Sequence, residues 1–407
     1  MQARRATYQR RAGDLRIDPS FLIKSQRIAV SVAFLAFGAA CTTWVPRLPA
    51  LKDHLHLTDG QVGLALLAYA VGAVVGAAAA RLVLARGARA FVQAGTVALC
   101  VALIGPGLAA DFTQLFASLL LIGATAGFID VLENAQAAEL ERKAGRPLIN
   151  GFHGFWSLGA IIGSVSAGAA AYAGVTPLVQ FIAVGGIVVV ATAWILRDLP
   201  DTRSGAARVM PVDAGRLWLT GSILAVAAIS LGSYLVEGGT ADWSALFLSE
   251  LSHANPGIAA AGFAGFSTAA AVVRFRADIL TAHTSPTVVA RLGASIAVVG
   301  LALAIAVPAL PGAVTGFALV GIGTAVLVPL AFSAAANLGH SGTALALALA
   351  SGYAGSIVGP VLIGSVADHF GLRAAMTVPL VSALVIVVLA GSLTVSRAAV
   401  SPQPARR

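Results

Sequence analysis

The sequence predicts an all-α membrane protein of twelve transmembrane helices, arranged as two pseudo-symmetric six-helix bundles. Three observations support this fold class. Of the 407 residues, 58% are apolar and only 11% are charged, whereas an ordinary soluble domain has about 25% charged residues. The apolar residues fall into runs of about 20, the length that crosses a hydrocarbon core. An internal repeat relates the two halves of the chain.

Apolar runs mark the twelve spans, and the longest polar interval separates the sixth from the seventh. That interval is typical of a flexible cytosolic linker. The spans cover residues 27–46, 61–83, 91–110, 112–137, 151–173, 177–196, 216–240, 256–276, 287–307, 311–337, 343–367 and 371–395. The chain therefore divides into an Arg-rich tail, a first bundle, a linker, a second bundle and a second tail, at residues 1–26, 27–196, 197–215, 216–395 and 396–407.

The repeat is visible in glycine and tryptophan positions. Three glycines of the fifth span recur 196 positions later in the eleventh span. Trp44 and Gly63 recur 199 positions later as Trp243 and Gly262. Similar offsets from independent places indicate two homologous six-helix bundles.

The net charge of +9 follows the membrane topology rather than a nucleic-acid surface. If the N-terminus is cytosolic, every basic residue except Arg47, Lys52 and Arg373 falls on the cytosolic side of the predicted spans. This asymmetry is the positive-inside rule. It predicts a multi-pass protein of the cytoplasmic membrane with both termini in the cytosol, a lipid environment and no nucleic-acid partner. The first span follows an Arg-rich tail and is long enough to be a retained helix rather than a cleaved signal.

Three acidic residues lie within apolar spans, namely Asp130, Glu133 and Glu237. A charge at mid-helix costs about 2.5–3.5 kcal/mol on insertion scales, so each is a functional candidate. Asp130, Glu133 and Asn134 share one helical face. Two carboxylates so close in a low dielectric cannot both ionise easily, so one is expected to hold a proton near neutral pH, as a proton carrier must. The alternative is a hydrogen-bonded carboxylate that locks a closed state.

Helix direction places the start of the fifth span beside this part of the fourth. The midpoint of the fourth span is near residue 124, which puts Asp130 about 9 Å toward the cytosol. We therefore predict a polar cluster on the cytosolic side that acts as a gate, a proton relay or both. Its members are Asp130, Glu133, Asn134, His153 and Ser157. For His153 the alternative is a packed, hydrogen-bonded side chain.

A second group is predicted at the outer mouths of the first and seventh spans, which are equivalent in the repeat. With Trp156 of the fifth span, these residues are candidates for the substrate pathway: Trp44, Arg47, Glu237, Asp242 and Trp243. Pairing of Arg47 with Glu237 or Asp242 would close the outside. The alternative for the tryptophans is an aromatic belt at the membrane surface.

Several motifs resemble the major facilitator superfamily, and within it the YbjJ-type branch of bacterial inner-membrane permeases, over essentially the whole chain. They are Trp44-V-P-Arg47-L-Pro49, Asp130-V-L-E-Asn134-A-Q, Gly145-Arg146-Pro147, Gly151-F-His153-G-F-W-Ser157-L-Gly159 and Glu237-G-G-T-A-Asp242-Trp243-S. Glu133 departs from the branch, which commonly has an apolar residue there, but resembles in position a functional Glu in the fourth helix of fucose-permease-type symporters.

Two further stretches resemble the loop motif of the superfamily. They are Arg274-x-x-x-Asp278 after the eighth span and Gly364-x-x-x-Asp368-H-F-Gly371-L-Arg373 after the eleventh. In that motif, charges and a helix terminus brace neighbouring helices in one conformation. The resemblance therefore implies conformational rather than substrate-binding roles for Arg274, Asp278, Asp368 and Arg373.

The resemblance implies a secondary active transporter in a bacterial inner membrane, working by alternating access on a small, polar solute, and the carboxylates point to protons as the driving ion. A proton-antiport exporter of a drug or secondary metabolite is an alternative, although Ser164 replaces the proline of the antiporter pattern. A non-transporting membrane sensor or scaffold is an alternative of another class. The sequence has no phosphate-binding loop, nucleophile elbow or H-E-x-x-H motif, so an enzyme is not indicated. We expect a monomer without cofactor or metal.

Overall fold

A computed structural model describes residues 19–146, 148–202, 220–338 and 343–393. All regular secondary structure in these ranges is helical. The helices are α1 (Pro19–Thr42), α2 (Leu48–Leu55), α3 (Asp59–Val83), α4 (Ala88–Ala102), α5 (Ile104–Leu108), α6 (Phe112–Ala144), α7 (Ile149–Tyr172), α8 (Pro177–Thr192), α9 (Gly221–Leu251), α10 (Pro256–Ala259), α11 (Ala261–His283), α12 (Pro286–Ala306), α13 (Leu310–Thr324), α14 (Leu327–Asn337), α15 (Thr343–Ala375) and α16 (Thr377–Leu389). Most of the predicted tails and linker lies outside the described residues.

Polar caps start several of the long helices. The side chain of Thr58 forms a capping box with Gln61 at the start of α3. Asp111, Thr176 and Thr220 accept hydrogen bonds from the first turns of α6, α8 and α9. Each cap satisfies a backbone amide that has no partner within its helix, so these polar residues fix where the helices begin.

Length and composition support ten of the twelve predicted membrane spans, and shorter apolar helices lie at the other two. In the described ranges, ten helical segments are long and apolar enough to cross a membrane, and Pro177–Thr192 and Thr377–Leu393 are shorter apolar helices. Each predicted span coincides with one of these twelve segments. The chain is therefore a multi-pass membrane protein.

Several helices extend well beyond the spans predicted for them. Helix α6 reaches Ala144, α9 reaches Leu251 and α11 reaches His283. Hydropathy ends a span at its first polar residues, whereas backbone hydrogen bonding continues through them. The extensions move several polar side chains from the predicted mouths of helices to positions inside them.

The described chain falls into an N-terminal segment, residues 19–202, and a C-terminal segment, residues 220–393. In the N-terminal segment α3 packs along α6 and α1 packs along α7. In the C-terminal segment α9 packs along α15 and α12 packs along α13. The two segments meet mainly where α3 lies against α15 and where α7 lies against α11.

Glycine allows the closest of these helix contacts. A Cβ on Gly76 of α3 would lie 1.8 Å from the carbonyl oxygen of Ala124 on α6. A Cβ on Gly123 of α6 would lie 2.0 Å from the carbonyl oxygen of Tyr69 on α3. Any larger residue would force the backbones apart, so the α3–α6 contact depends on small residues, as is typical of helix packing in membranes.

Polar contacts join the two segments at one end of the molecule, where α2 turns into α3. The Lys52 ammonium forms ion pairs with Asp59 of α3 and with Glu250 of α9. Thr58 Oγ1 donates a hydrogen bond to Asp368 Oδ2 of α15 at 3.1 Å. We call this end the α2 end. Among the described residues, the side-chain hydrogen bonds that cross between the segments are Lys52–Glu250 and Thr58–Asp368.

Candidate functional site

Helices α6 and α7 share a line of hydrogen-bonded side chains. Asn134 lies one turn after Asp130 on α6 and donates from Nδ2 to Asp130 Oδ1 at 3.0 Å. The Oδ1 atom of Asn134 is 3.1 Å from Nε2 of His153 on α7. We call these three residues the α6–α7 polar chain. Because α6 runs from Phe112 to Ala144, Asp130 lies about 3 Å from the midpoint of the helix.

The other two members of the predicted cluster do not join this chain. Glu133 is 1% exposed, and neither carboxylate oxygen has a hydrogen-bond partner among the described residues. Asp130, by contrast, is exposed. Ser157 donates to the backbone carbonyl of His153, one turn earlier in its own helix. Glu133 is separate because 100° per residue places it on the packed edge of the shared helical face.

Helices α9 and α11 are joined by an ion pair between Glu237 and Arg274. Glu237 lies near the middle of α9, so its predicted place at the outer mouth is wrong. Arg274 lies inside α11 rather than in a loop after it, and its Nε also donates to the carbonyl oxygen of Ala325 at 3.4 Å. The side chain of Asp278 lies outside the described residues.

The ion pair faces the α6–α7 polar chain across the contact between α7 and α11. A Cβ on Gly154 of α7 would lie 2.4 Å from the ring of Phe275 on α11. The neighbouring Arg274 lies close enough to act electrostatically on His153. Polar groups of four helices therefore converge where the two segments meet.

The predicted outer pair of Arg47 with Glu237 or Asp242 is wrong. Arg47 is 3% exposed and donates from Nη2 to the carbonyl oxygen of Val175 at 2.6 Å. The extra length of α9 carries Glu237 down to Arg274 and away from the helix end where Arg47 lies.

The tryptophans predicted for the pathway lie in the packed core. Trp44 and Trp243 are 2% and 0% exposed, so neither belongs to an aromatic belt facing lipid. The Trp44 ring packs against Tyr69 with centroids 5.4 Å apart. Trp156 is half-buried against the same core. Their large side chains therefore pack in the interior of the protein.

A cavity of about 260 Å³ lies between α3, α9 and α15. Asp242 of the predicted pathway lines it. Three tyrosines that were not among the predicted site residues line it as well: Tyr69, Tyr234 and Tyr353. Their rarity could have identified them, because the chain has only five tyrosines and these three interrupt apolar spans. The cavity wall is thus mostly apolar and aromatic, with one carboxylate.

The residues predicted from the eleventh-span motif make contacts between helices at the α2 end. Asp368 accepts the hydrogen bond from Thr58 that joins α15 to α3. Arg373 donates from Nε to the carbonyl oxygen of Ile305, in the last turn of α12, at 2.7 Å. Lys52 and Glu250 were not among the predicted site residues, although Lys52 is one of three basic residues predicted to lie outside. These contacts fit a role for Asp368 and Arg373 in bracing neighbouring helices.

Comparison with known sequences gives one matching family model, described as the Major Facilitator Superfamily, over residues 29–348. An uncharacterised transporter of Sinorhizobium fredii is 33% identical over 373 residues, covering 89% of this chain and 96% of that relative. An uncharacterised MFS-type transporter of Yersinia pestis is 30% identical over 380 residues, covering 92% and 96%.

Comparison with solved structures agrees at the level of the fold. The crystal structure of a mutant of the nucleoside transporter NupG matches with a TM-score of 0.73, covering 91% of this chain and 98% of that one. The identity is 14%, so this likeness concerns the fold alone.

Proposed function

The chain belongs to the Major Facilitator Superfamily and is a membrane transporter rather than an enzyme, and we propose that it moves a small, polar solute by alternating access, driven by protons. In this proposal the two segments are pseudo-symmetric bundles of six spans, and the solute passes between them. The α2 end faces the outside of a bacterial inner membrane, as the positive-inside rule predicts.

The α6–α7 polar chain is the observation that carries proton coupling. Asp130 is a carboxylate near the middle of a membrane helix, it is exposed, and its side-chain partner is a neutral amide. An intramembrane acid with these properties is a functional candidate by default. Protonation of Asp130 weakens the hydrogen bond that Asn134 donates to it, and Asn134 in turn contacts His153. The proton can therefore alter the contact between α6 and α7.

The contacts at the α2 end support the alternating-access part of the proposal. Lys52 and Thr58 tie the N-terminal segment to Glu250 and Asp368 of the C-terminal segment. Asp130 and His153, nearer the other end, are exposed. Passage of a solute to the outside would require the cross-segment contacts at the α2 end to break. We assign this conformation to the state in which the outside is closed.

Transport in proteoliposomes tests the proposal. A panel of sugars, polyols, nucleosides and amino acids is offered with and without an imposed pH gradient. For a transported solute, Asp130→Asn should abolish gradient-driven accumulation, because the amide cannot release a proton. Solute exchange at equal pH should be partly retained, because Asn preserves a hydrogen-bond acceptor for Asn134. The direction of the gradient that drives accumulation distinguishes symport from antiport.

Asp53→Asn is the matched control, since Asp53 is an exposed acid outside the cavity and its change should leave accumulation unaltered. If accumulation survives in Asp130→Asn, Asp130 is not the carrier and the α6–α7 polar chain is only a structural lock. If the wild type accumulates a solute equally well without a pH gradient, protons do not drive transport.

A further inference from the structure

The cavity between α3, α9 and α15 shows which chemical class of solute the transporter accepts, and this inference rests on the transport function proposed above. At about 260 Å³ it is smaller than the sites that hold drug-sized ligands, which are roughly 300–1,000 Å³. It therefore suits a small solute. Its lining comes from both segments, so a solute held there touches helices that move relative to each other.

Asp242 gives the cavity an acidic group without a basic partner. Among the described residues it belongs to no ion pair. The nearest acid on its own helix, Glu237, is neutralised by Arg274. Arg47 contacts a backbone carbonyl instead. A carboxylate in a water-poor pocket gains far more from a cation than it would in bulk water.

Other groups around the cavity reinforce this preference. Asp130 lies close enough to act electrostatically on Tyr69 and Tyr234, and Asp242 acts on Tyr69 as well. The two carboxylates, which lie in opposite segments, therefore both influence Tyr69. Their combined field favours a positive solute and disfavours an anion.

The three tyrosines provide the second element of a cation site. The rings of Tyr234 and Tyr353 lie 6.4 Å apart, centroid to centroid. Tyr69 is held on the opposite wall by Trp44 and by a 3.0 Å contact between its hydroxyl and the Cys41 sulfur. Aromatic faces attract ammonium groups, most strongly where water is displaced. Their hydroxyls also suit a solute that carries hydroxyl groups of its own.

We infer that the solute is a small organic cation, an ammonium ion such as a simple amine or amino sugar, whose nitrogen lies beside Asp242 among Tyr69, Tyr234 and Tyr353. A divalent metal ion does not fit, because such ions need several oxygen ligands and the cavity wall offers one carboxylate in mostly apolar surroundings. Gly238 sets the size of the site. It lines the cavity, and a Cβ there would meet nothing within 4 Å.

Equilibrium binding to the purified full-length chain in detergent tests the inference without any ion gradient. Thermal unfolding is followed while matched probes are titrated in two series. The first series is glucosamine, glucose and glucuronate, and the second is choline and its neutral isostere 3,3-dimethylbutan-1-ol. The cationic member of at least one series should bind about tenfold or more tightly than its neutral partner, a difference of about 1.4 kcal/mol.

Asp242→Asn should remove this preference, and Asp53→Asn should preserve it. Gly238→Val, which fills the cavity without changing its charge, should weaken every probe that binds the wild type; it also keeps the test open if Asp242→Asn does not fold. Equal binding of neutral and cationic probes, tighter binding of glucuronate, or a preference that survives Asp242→Asn would overturn the inference. Proton coupling through Asp130 is tested separately by accumulation, so either idea can fail alone.

Discussion

Helices α6 and α9 each carry two carboxylic acids into the apolar interior, and they partner those acids in different ways. On α6, Asp130 contacts neutral groups and Glu133 has no partner. On α9, Glu237 is held by a guanidinium and Asp242 faces the cavity unpaired. The difference indicates that the acids of the two helices have different functions. Neutral partners leave an acid free to exchange a proton, whereas an ion pair keeps its acid charged.

The free-energy costs of protonating Asp130 and Glu237 favour this assignment. Protonation of Asp130 weakens one hydrogen bond to an amide, a loss of about 1 kcal/mol that proton binding can offset. Protonation of Glu237 would leave Arg274 as an unpaired, partly exposed charge in a membrane helix, which costs about 2 kcal/mol. We therefore place proton exchange on α6 and solute binding on α9. The two unpaired acids also differ, because Glu133 is sealed from water and Asp242 is not.

Packing gives the first and largest test of the contrast between the two helices. Gly76→Ala should destabilise the protein by roughly 3 kcal/mol, because its Cβ would meet the backbone of α6 at 1.8 Å and backbone cannot move aside easily. Gly238→Ala on α9 should change stability by less than about 0.5 kcal/mol, because its Cβ meets nothing within 4 Å. Reversible unfolding in mixed micelles measures both.

A small effect of Gly76→Ala would mean that α6 moves freely against α3, and α6 would then lack the fixed frame that its polar chain needs. A large effect of Gly238→Ala would mean that the cavity wall at α9 is packed in solution, which also removes the proposed solute site.

The ion pair on α9 gives the second test. Arg274→Leu should cost on the order of 2 kcal/mol, less than the 3–5 kcal/mol of a fully buried pair, because the Arg274 side chain is 38% exposed. The double variant Glu237→Gln with Arg274→Leu should recover part of that stability, since no unpaired charge remains. Asp130→Asn on α6 should be close to wild type in the same unfolding assay.

A double variant that is less stable than Arg274→Leu alone would contradict this contrast between α6 and α9. Glu237 would then contribute through contacts other than its charge, and the assignment of Arg274 as its neutralising partner would lose its support.

Much of the fold could be predicted from composition and periodicity. Apolar runs located ten helices long enough to cross a membrane and two shorter apolar helices, because burial in lipid demands about 20 apolar residues whatever the contacts within the protein. The ends of α6, α9 and α11 could not be found in this way. Polar residues such as Glu237 and Arg274 neutralise each other inside the protein, and hydropathy scores each of them as if it stood alone.

The candidate site was predictable only where its residues follow helical spacing. Asp130 and Asn134 are one turn apart, and the opposite directions of consecutive spans brought His153 to their depth. The ion pair of Lys52 with Glu250 joins residues 198 positions apart. No local sequence pattern predicts such a contact. The cavity likewise depends on how α3, α9 and α15 approach one another, which no single helix encodes.

Glu133 provides the last and smallest effect, and it sharpens the contrast between the two unpaired acids. An ionised carboxylate that is 1% exposed and has no described partner would be very costly, so we expect Glu133 to be neutral in this conformation. Glu133→Gln replaces one neutral group with another of the same shape. Stability should change by less than about 0.5 kcal/mol, and gradient-driven accumulation should persist. Glu133→Lys, which places a charge there, should be strongly destabilised. If Glu133→Gln instead abolishes accumulation while folding normally, the buried acid must exchange protons in another conformation. The proton pathway would then pass through both acids of α6 rather than through Asp130 alone.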